Sequence, residues 1–295
     1  MKIRMIGCGA MGAGMVKNLL KHGYDVSTYD PDPSKQEQMK KLGAAPVSSS
    51  SYGLSEIDVV LLSLPTSALV EETLIGDKGI LQHLKKGSLI LDMSTTDVRV
   101  TKQLAQSAAE KSVHFLDCPV SNGPAGANDG TLTIMVGGEE HTFHSVLPVL
   151  ESIGKEIRYI GPSGSGQVVK LCNNMMVAGI TVLLSETFVA GAKNGVDPMK
   201  IAELMSIGSA QNKVLSVFGP NLLNDTHHDV KFFLSHMAKD VNLYMDMTKS
   251  TQSPALLGSI VEQLYEAAKL QGKGHLDSSA VGQVVEWMGN YKICN

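Results

Sequence analysis

Residues 2–30 decide the fold: Lys2-Ile-Arg-Met-Ile-Gly-Cys-Gly-Ala-Met-Gly12, then the amphipathic stretch 13–21, then Asp25-Val-Ser-Thr-Tyr-Asp30. An apolar strand runs into a glycine-rich turn that opens a helix, and a second strand follows. Gly7 permits the tight strand-to-helix turn, Gly9 lets backbone approach a pyrophosphate, and Gly12 allows helix to pack closely on strand. The helix start, at Ala10 and Met11, offers unpaired N–H groups and a positive dipole end to phosphates. Asp30 stands where a carboxylate accepts a ribose 2′-hydroxyl and repels a 2′-phosphate. A lone glycine pattern is weak, but strand, glycines, helix, strand and acid in this order predict a dinucleotide site.

Outward from this segment, apolar runs at 59–64, 88–92, 114–117, 132–136 and 156–159 alternate with helical patterns at 35–42, 99–110 and 139–152. This alternation predicts a doubly wound parallel sheet of the Rossmann kind. It breaks at Gly161-Pro-Ser-Gly-Ser-Gly166, and the patterns beyond, at 167–194, 198–206, 239–248, 254–271 and 278–288, are helical. The expected organisation is α/β for residues 1–162 and all-α for residues 163–295. The most apolar stretch, 175–184, reads as too short to span a bilayer and as a central helix buried nearly all round.

The chain has 295 residues, of which 43% are hydrophobic and 18% charged, with a net charge of −4. That is ample for two cores, and dispersed basic residues argue against a nucleic-acid groove or an anionic membrane surface. The expected partner is a small molecule. The four cysteines form no CxxC pair, so neither a disulfide framework nor a zinc knuckle is signalled. Reduced thiols, and a first strand starting at Lys2, lead to the expectation of a cytoplasmic protein. His227-His228 and His141 with His144 read as solvated residues, and no metal is expected.

Ligands of such sheets lie beyond the carboxyl ends of the strands, where three loops stand out. Leu64-Pro65-Thr66 and Met93-Ser94-Thr95-Thr96 are cofactor-side candidates, though turn chemistry and helix capping account for them equally. The segment 117–131, with Ser121, Asn122 and Gly123, is read as a rigid anion-binding loop for a substrate carboxylate. Past the break, Gly164-Ser-Gly-Gln-Val-Val-Lys170-Leu-Cys-Asn-Asn174 puts Lys170 and Asn174 on one helical face. A partly buried lysine near a helix start favours its neutral form, so Lys170 suits the base that takes a hydroxyl proton during hydride transfer. Lys239-Asp240 either reaches the cofactor or is an ordinary surface ion pair.

Together these blocks, with Gly130-Thr-Leu-Thr-Ile-Met-Val-Gly-Gly138, Met237-Ala-Lys-Asp240 and Ser250-Thr-Gln-Ser-Pro-Ala-Leu-Leu-Gly258, resemble the β-hydroxyacid dehydrogenases over essentially the whole chain. The C-terminal blocks look most like the hydroxyisobutyrate branch. The resemblance implies an NAD-dependent oxidation of a short 3-hydroxy acid to its semialdehyde and a helical domain that forms a homodimer or homotetramer. It makes Lys170 catalytic, gives Ser121, Gly123 and Asn174 to the substrate, and places Thr95 and Lys239 at the cofactor or active site. Two positions depart from the pattern: Asn122 replaces a common glycine, and Gly208-Ser209-Ala210 lacks an arginine that some relatives carry. The rival readings are an NADPH-dependent reductase of small aldehydes or imines and a non-catalytic dinucleotide-binding module. Asp30 followed by Pro31, with no arginine before Lys35, argues against a 2′-phosphate site.

Overall fold

A computed structural model describes residues 1–294. They fall into two compact units, residues 1–170 and the chain from Leu171 onward.

The first unit alternates β1 (Lys2–Ile6), α1 (Ala10–Lys21), β2 (Asp25–Tyr29), α2 (Pro33–Leu42), β3 (Ala45–Pro46), β4 (Val59–Leu62), α3 (Ser67–Ile75), β5 (Leu89–Asp92), α4 (Val98–Glu110) and β6 (His114–Asp117). It continues with β7 (Val120–Ser121), α5 (Gly123–Asp129), β8 (Leu132–Gly137), α6 (Glu140–Glu151) and β9 (Gly154–Gly161). From one edge the strands run β3-β2-β1-β4-β5-β6-β8, with β7 and β9 both pairing with β8. Pairing is parallel from β3 to β6. The first six strands therefore follow the doubly wound order, whose topological switch point lies between β1 and β4. This is the expected doubly wound parallel sheet, extended beyond β6 by β8, which is antiparallel to β6 and β7, and by β9, which is parallel to β8.

Side chains alternate across the sheet as strand geometry demands. Ile3, Met5, Val59, Leu61, Leu89 and Leu91 enter one buried cluster. Ile6, Val60, Leu62 and Ile90 enter another. With helices over both faces, these strands need no polar side, and β4 and β5 are apolar apart from Asp92, which closes β5.

Five elements differ from the sequence expectation by existing at all. The strands β3 and β7 are two residues each, too short to show periodicity. The helix α5 hides in a segment whose Gly123, Pro124 and Gly126 read as a loop; it forms because α1 receives it. Asn18 Nδ2 donates to the carbonyls of Ala127 and Asn128. Gly14 lies so close to α5 that a Cβ there would stand 2.7 Å from the Ala127 carbonyl carbon. The helix α3, capped by Thr66, was likewise absent from the expected pattern.

The fifth element, α9 (Lys213–Asn224), belongs to the second unit, which is all helix: α7 (Ser165–Lys193), α8 (Pro198–Ile207), α9, α10 (Leu234–Ser250), α11 (Leu256–Leu270) and α12 (Gly282–Gly289). The first turns of α7 belong to the first unit. The helix α7 has 29 residues, and its most apolar 18-residue window has a mean hydropathy of 1.7, so by length and composition it is able to cross a membrane, where the shorter apolar stretch 175–184 was not expected to. Its burial is not all-round either. Gln167, Lys170, Leu171, Asn174, Met175, Ala178, Thr181, Val182, Ser185 and Phe188 are buried, a three-and-four spacing, whereas Met176 and Leu183 are more than 60% exposed. One buried face carrying five polar residues is the pattern of a core helix.

Candidate active site

The turn after β1 has the close contacts its glycines imply. Gly7 has φ +91°, and a Cβ there would lie 2.2 Å from the Ser63 carbonyl oxygen; at Gly12 it would lie 2.0 Å from the Gly7 carbonyl oxygen. Beside Gly9 the space is open, with nothing within 4 Å of where a Cβ would point. Gly9 starts α1 with no side-chain cap and no acidic residue in the first turn, so the N–H groups around Ala10 and Met11 keep their capacity for an anion.

Asp30 follows β2 and is nearly buried. Its carboxylate accepts the Cys8 N–H at 2.8 Å and the Asp32 N–H at 3.0 Å. Lys35 Nζ stands 3.8 Å from it, a cation at the ribose end that sequence reasoning set aside. A recess of about 390 Å³ opens there, lined by Asp30, Pro31, Gln36, Lys40 and Ser48 among others. Two glycines that admit no side chain, an uncapped helix start and a carboxylate at the next strand end fit a dinucleotide.

The loops after β4 and β5 interlock. Leu64 N–H donates to Ser94 Oγ at 2.9 Å, Ser94 N–H to Asp92 Oδ1, and Thr96 Oγ1 to Asp92 Oδ2 at 2.6 Å. Thr95 is half-buried between two pinned neighbours, and Pro65 is exposed next to Leu64. Thr66, by contrast, caps α3 by accepting the Leu69 N–H, as the bland reading holds.

Two residues to which the sequence assigns no role of their own fix the start of α7. Asp117, fully buried at the end of β6, accepts the N–H of Gly164 at 2.7 Å and of Gln167 at 3.0 Å. Gln167 Oε1 accepts the Thr96 N–H, and its Nε2 donates to the Ser94 carbonyl. Burial raises the carboxyl of Asp117 above its ordinary range, against the pull of those N–H groups. Glycine is required beside it, since a Cβ at Gly166 would stand 2.4 Å from the Met135 carbonyl oxygen and 2.8 Å from Asp117 Oδ2. One turn beyond Gln167, Lys170 is 7% exposed. Its position is thus referenced to the strand ends through Asp117, Ser94 and Thr96.

The expected anion loop is a short strand followed by α5. Ser121 ends β7, half-buried, opposite Thr133 of β8. Asn122 takes the left-handed conformation at φ 84° and Gly123 follows at φ 59°. The amide expected to face substrate turns back on its own loop, Nδ2 donating to the Thr131 carbonyl at 3.0 Å and to Thr133 Oγ1 at 3.3 Å.

Within the second unit, Asn174 Nδ2 donates to Asp240 Oδ2 at 2.6 Å, and Asn174 Oδ1 accepts from Asn173. Lys239 Nζ lies 3.0 Å from Asp240 Oδ1, in ion-pair range but off line for a hydrogen bond. Asp240 is 1% exposed, so Lys239-Asp240 is no ordinary surface pair. His227 also departs from expectation: it is buried, Nδ1 is 2.8 Å from Ser279 Oγ, and desolvation lowers its pKa.

Residues 2–161 match the family described as the NAD binding domain of 6-phosphogluconate dehydrogenase. Residues 164–285 match the NAD-binding domain of NADP-dependent 3-hydroxyisobutyrate dehydrogenase. Human mitochondrial 3-hydroxyisobutyrate dehydrogenase is 36% identical over 95% of this chain and 85% of its own. The chain belongs to the β-hydroxyacid dehydrogenase family. Within that family, the NAD-dependent L-serine dehydrogenase of Pseudomonas aeruginosa is 34% identical, covering 97% of this chain and 98% of its own. The 3-hydroxyisobutyrate dehydrogenase of Mycobacterium tuberculosis, solved with L-serine, superposes with a TM-score of 0.89 at 30% identity over 96% and 98% of the two chains. This β-hydroxyacid dehydrogenase is therefore an oxidoreductase with an NAD(P)-binding domain, acting on a small hydroxy acid.

Proposed function

We propose that this enzyme oxidises the hydroxyl of a short 3-hydroxy acid to the semialdehyde with NAD, and that Lys170 is its general base. One observation carries the reading: Lys170 is buried one turn after Gln167, which is bound to the strand-end loops around Ser94 and Thr96. A dinucleotide would be held by Gly7, Gly9, Ala10, Met11 and Gly12 at its pyrophosphate, Asp30 at its ribose, and Leu64, Pro65 and Thr95 along the strand ends. When bound it supplies the hydride acceptor.

The chain's own residues do the rest. Lys170 Nζ takes the proton of the hydroxyl and returns it in the reverse direction. Ser121 Oγ donates to the carboxylate of the acid, with Gly123 leaving room for it. Asn174, one turn after Lys170 and fixed by Asp240, orients the lysine or the acid. Lys239 holds the Asp240 carboxylate in place. NAD is preferred over NADP because the Asp30 carboxylate would repel a 2′-phosphate, although Lys35 tempers that repulsion.

The test is NADH appearance with 3-hydroxyisobutyrate, L-serine, glycerate and 2-(hydroxymethyl)glutarate, the acids named by relatives or close to them. Lys170→Ala is expected to lose about 10²–10⁴ in kcat, the usual worth of a positioned base. Equal turnover by both proteins removes Lys170 from the reaction. NADP used in preference to NAD would favour the reductase reading instead.

Exposed apolar side chains of the second unit support a homo-oligomer. Met176 and Leu183 on α7, with Leu256, Leu257 and Ile260 on α11, are each more than half exposed. Sedimentation equilibrium checks this, with Leu257→Lys expected to shift the species towards monomer.

A further inference from the structure

The geometry points to a transition-metal site formed by His114, Glu139 and His141, on the first unit and away from the coenzyme edge. His114 opens β6, whereas the coenzyme residues follow the carboxyl ends of the strands. Glu139 precedes α6 and His141 lies in its first turn. Sequence alone did not suggest the group, because His114 comes from a different element; the antiparallel pairing of β8 with β6 brings them together.

The ligand atoms converge. His114 Nδ1 is 3.6 Å from Glu139 Oε2, and His141 Nε2 is 3.7 Å from the same oxygen. All three lie within 4.8 Å of one another, the one such group among the described residues. A tetrahedral metal with bonds of about 2.0–2.1 Å needs ligands about 3.4 Å apart, so two of the three separations are nearly right. The buried Thr142 hydroxyl stands 3.3 Å from each of the three atoms, which makes it a common vertex for the set. The two rings meet edge to face at 5.9 Å, and small rotations of exposed side chains would close the third separation.

Two imidazoles and one carboxylate select borderline divalent ions such as Zn²⁺, Ni²⁺ or Cu²⁺ over Mg²⁺ and Ca²⁺, which prefer all-oxygen sets. The Glu139 charge also offsets the positive end of α6, which would otherwise repel a cation. Three protein ligands leave an open position for water or a partner's side chain. At the amino end of β6, opposite the carboxyl ends where the coenzyme residues lie, an ion here stabilises the join of β6 and α6 and takes no part in hydride transfer.

The test is titration calorimetry of untagged full-length protein with ZnCl₂, with MgCl₂ as control, in a Cys172→Ser background that removes the exposed thiol. The expected result is one Zn²⁺ per chain, a raised Tm, and affinity at least about tenfold weaker in both His141→Ala and His114→Ala. Glu139→Gln should weaken binding too, while NADH formation stays unchanged in all three variants without zinc. Zinc binding of equal strength in the parent and both histidine variants overturns the site, and so does no zinc uptake at about 100 µM. The proposal is independent of the enzyme's substrate and of Lys170.

Discussion

The Asp117 carboxylate accepts the backbone N–H of Gln167 at 3.0 Å, tying the end of β6 to the first turn of α7. Through this bond and the Gln167 side chain, the first turn of α7 takes its position from the sheet. Gln167→Ala would leave the buried Thr96 N–H and Ser94 carbonyl without their partner, at a cost of about 1–3 kcal/mol each. Urea denaturation should show that loss. Displacement of Lys170 should lower kcat by roughly tenfold to a hundredfold. A stable variant with unaltered kcat would mean that Gln167 only braces the loop.

The buried Asp92 sets a pH dependence. Burial pushes its carboxyl up to about 6, against hydrogen bonds from Thr96 and Ser94 and with added repulsion from Asp117. Because the folded state holds this proton more tightly than the unfolded state, stability is greatest below the unfolded value and is lost as pH rises from about 4 to about 6. Asp92→Asn removes that slope. Relative to wild type, the variant should gain roughly 1–2 kcal/mol between about pH 5 and about pH 8, read from urea midpoints. A constant difference across that range would show that Asp92 is not the titrating group.

The β1–α1 unit was legible because it is local: every cue from Lys2 to Asp30 lies within one strand, one turn, one helix and one strand. Asp117 and Gln167 were not, since their bond joins residues about fifty positions apart and neither residue type is unusual in its own segment. The helix α5 was missed for a related reason. Gly123, Pro124 and Gly126 carry poor helix propensity, and tertiary contact with Gly14 and Asn18 overrides it. The extended burial of α7 was misjudged because composition counts apolar residues without assigning them to a face.

Gly9 and Gly14 sit five residues apart and should respond oppositely. Gly14→Ala drives a Cβ to 2.7 Å from the Ala127 backbone, so α5 must move, with a loss of about 1–3 kcal/mol and, if Gly123 lines the substrate site as proposed, a raised KM for the acid. Gly9→Ala meets nothing within 4 Å, and its stability should change by less than about 0.5 kcal/mol. Its KM for NAD should nonetheless rise, because the methyl group enters the space a pyrophosphate would take. Unchanged coenzyme KM in a well-folded Gly9→Ala would place the dinucleotide elsewhere.

Asn122 separates two explanations of its departure from the family pattern. Its left-handed φ of 84° costs a Cβ-bearing residue about 1–2 kcal/mol, less for asparagine, whose amide bonds locally. Here that amide is engaged by Thr131 and Thr133. Asn122→Gly trades those bonds for relief of strain and should leave stability within about 1 kcal/mol, while Asn122→Ala loses both and should be the less stable variant. If the amide serves the turn and not the substrate, the ratio of kcat/KM between 3-hydroxyisobutyrate and L-serine will be the same in Asn122→Gly as in wild type. A shift in that ratio, with stability unchanged, would instead make Asn122 a specificity residue that leaves Thr131 when the acid binds.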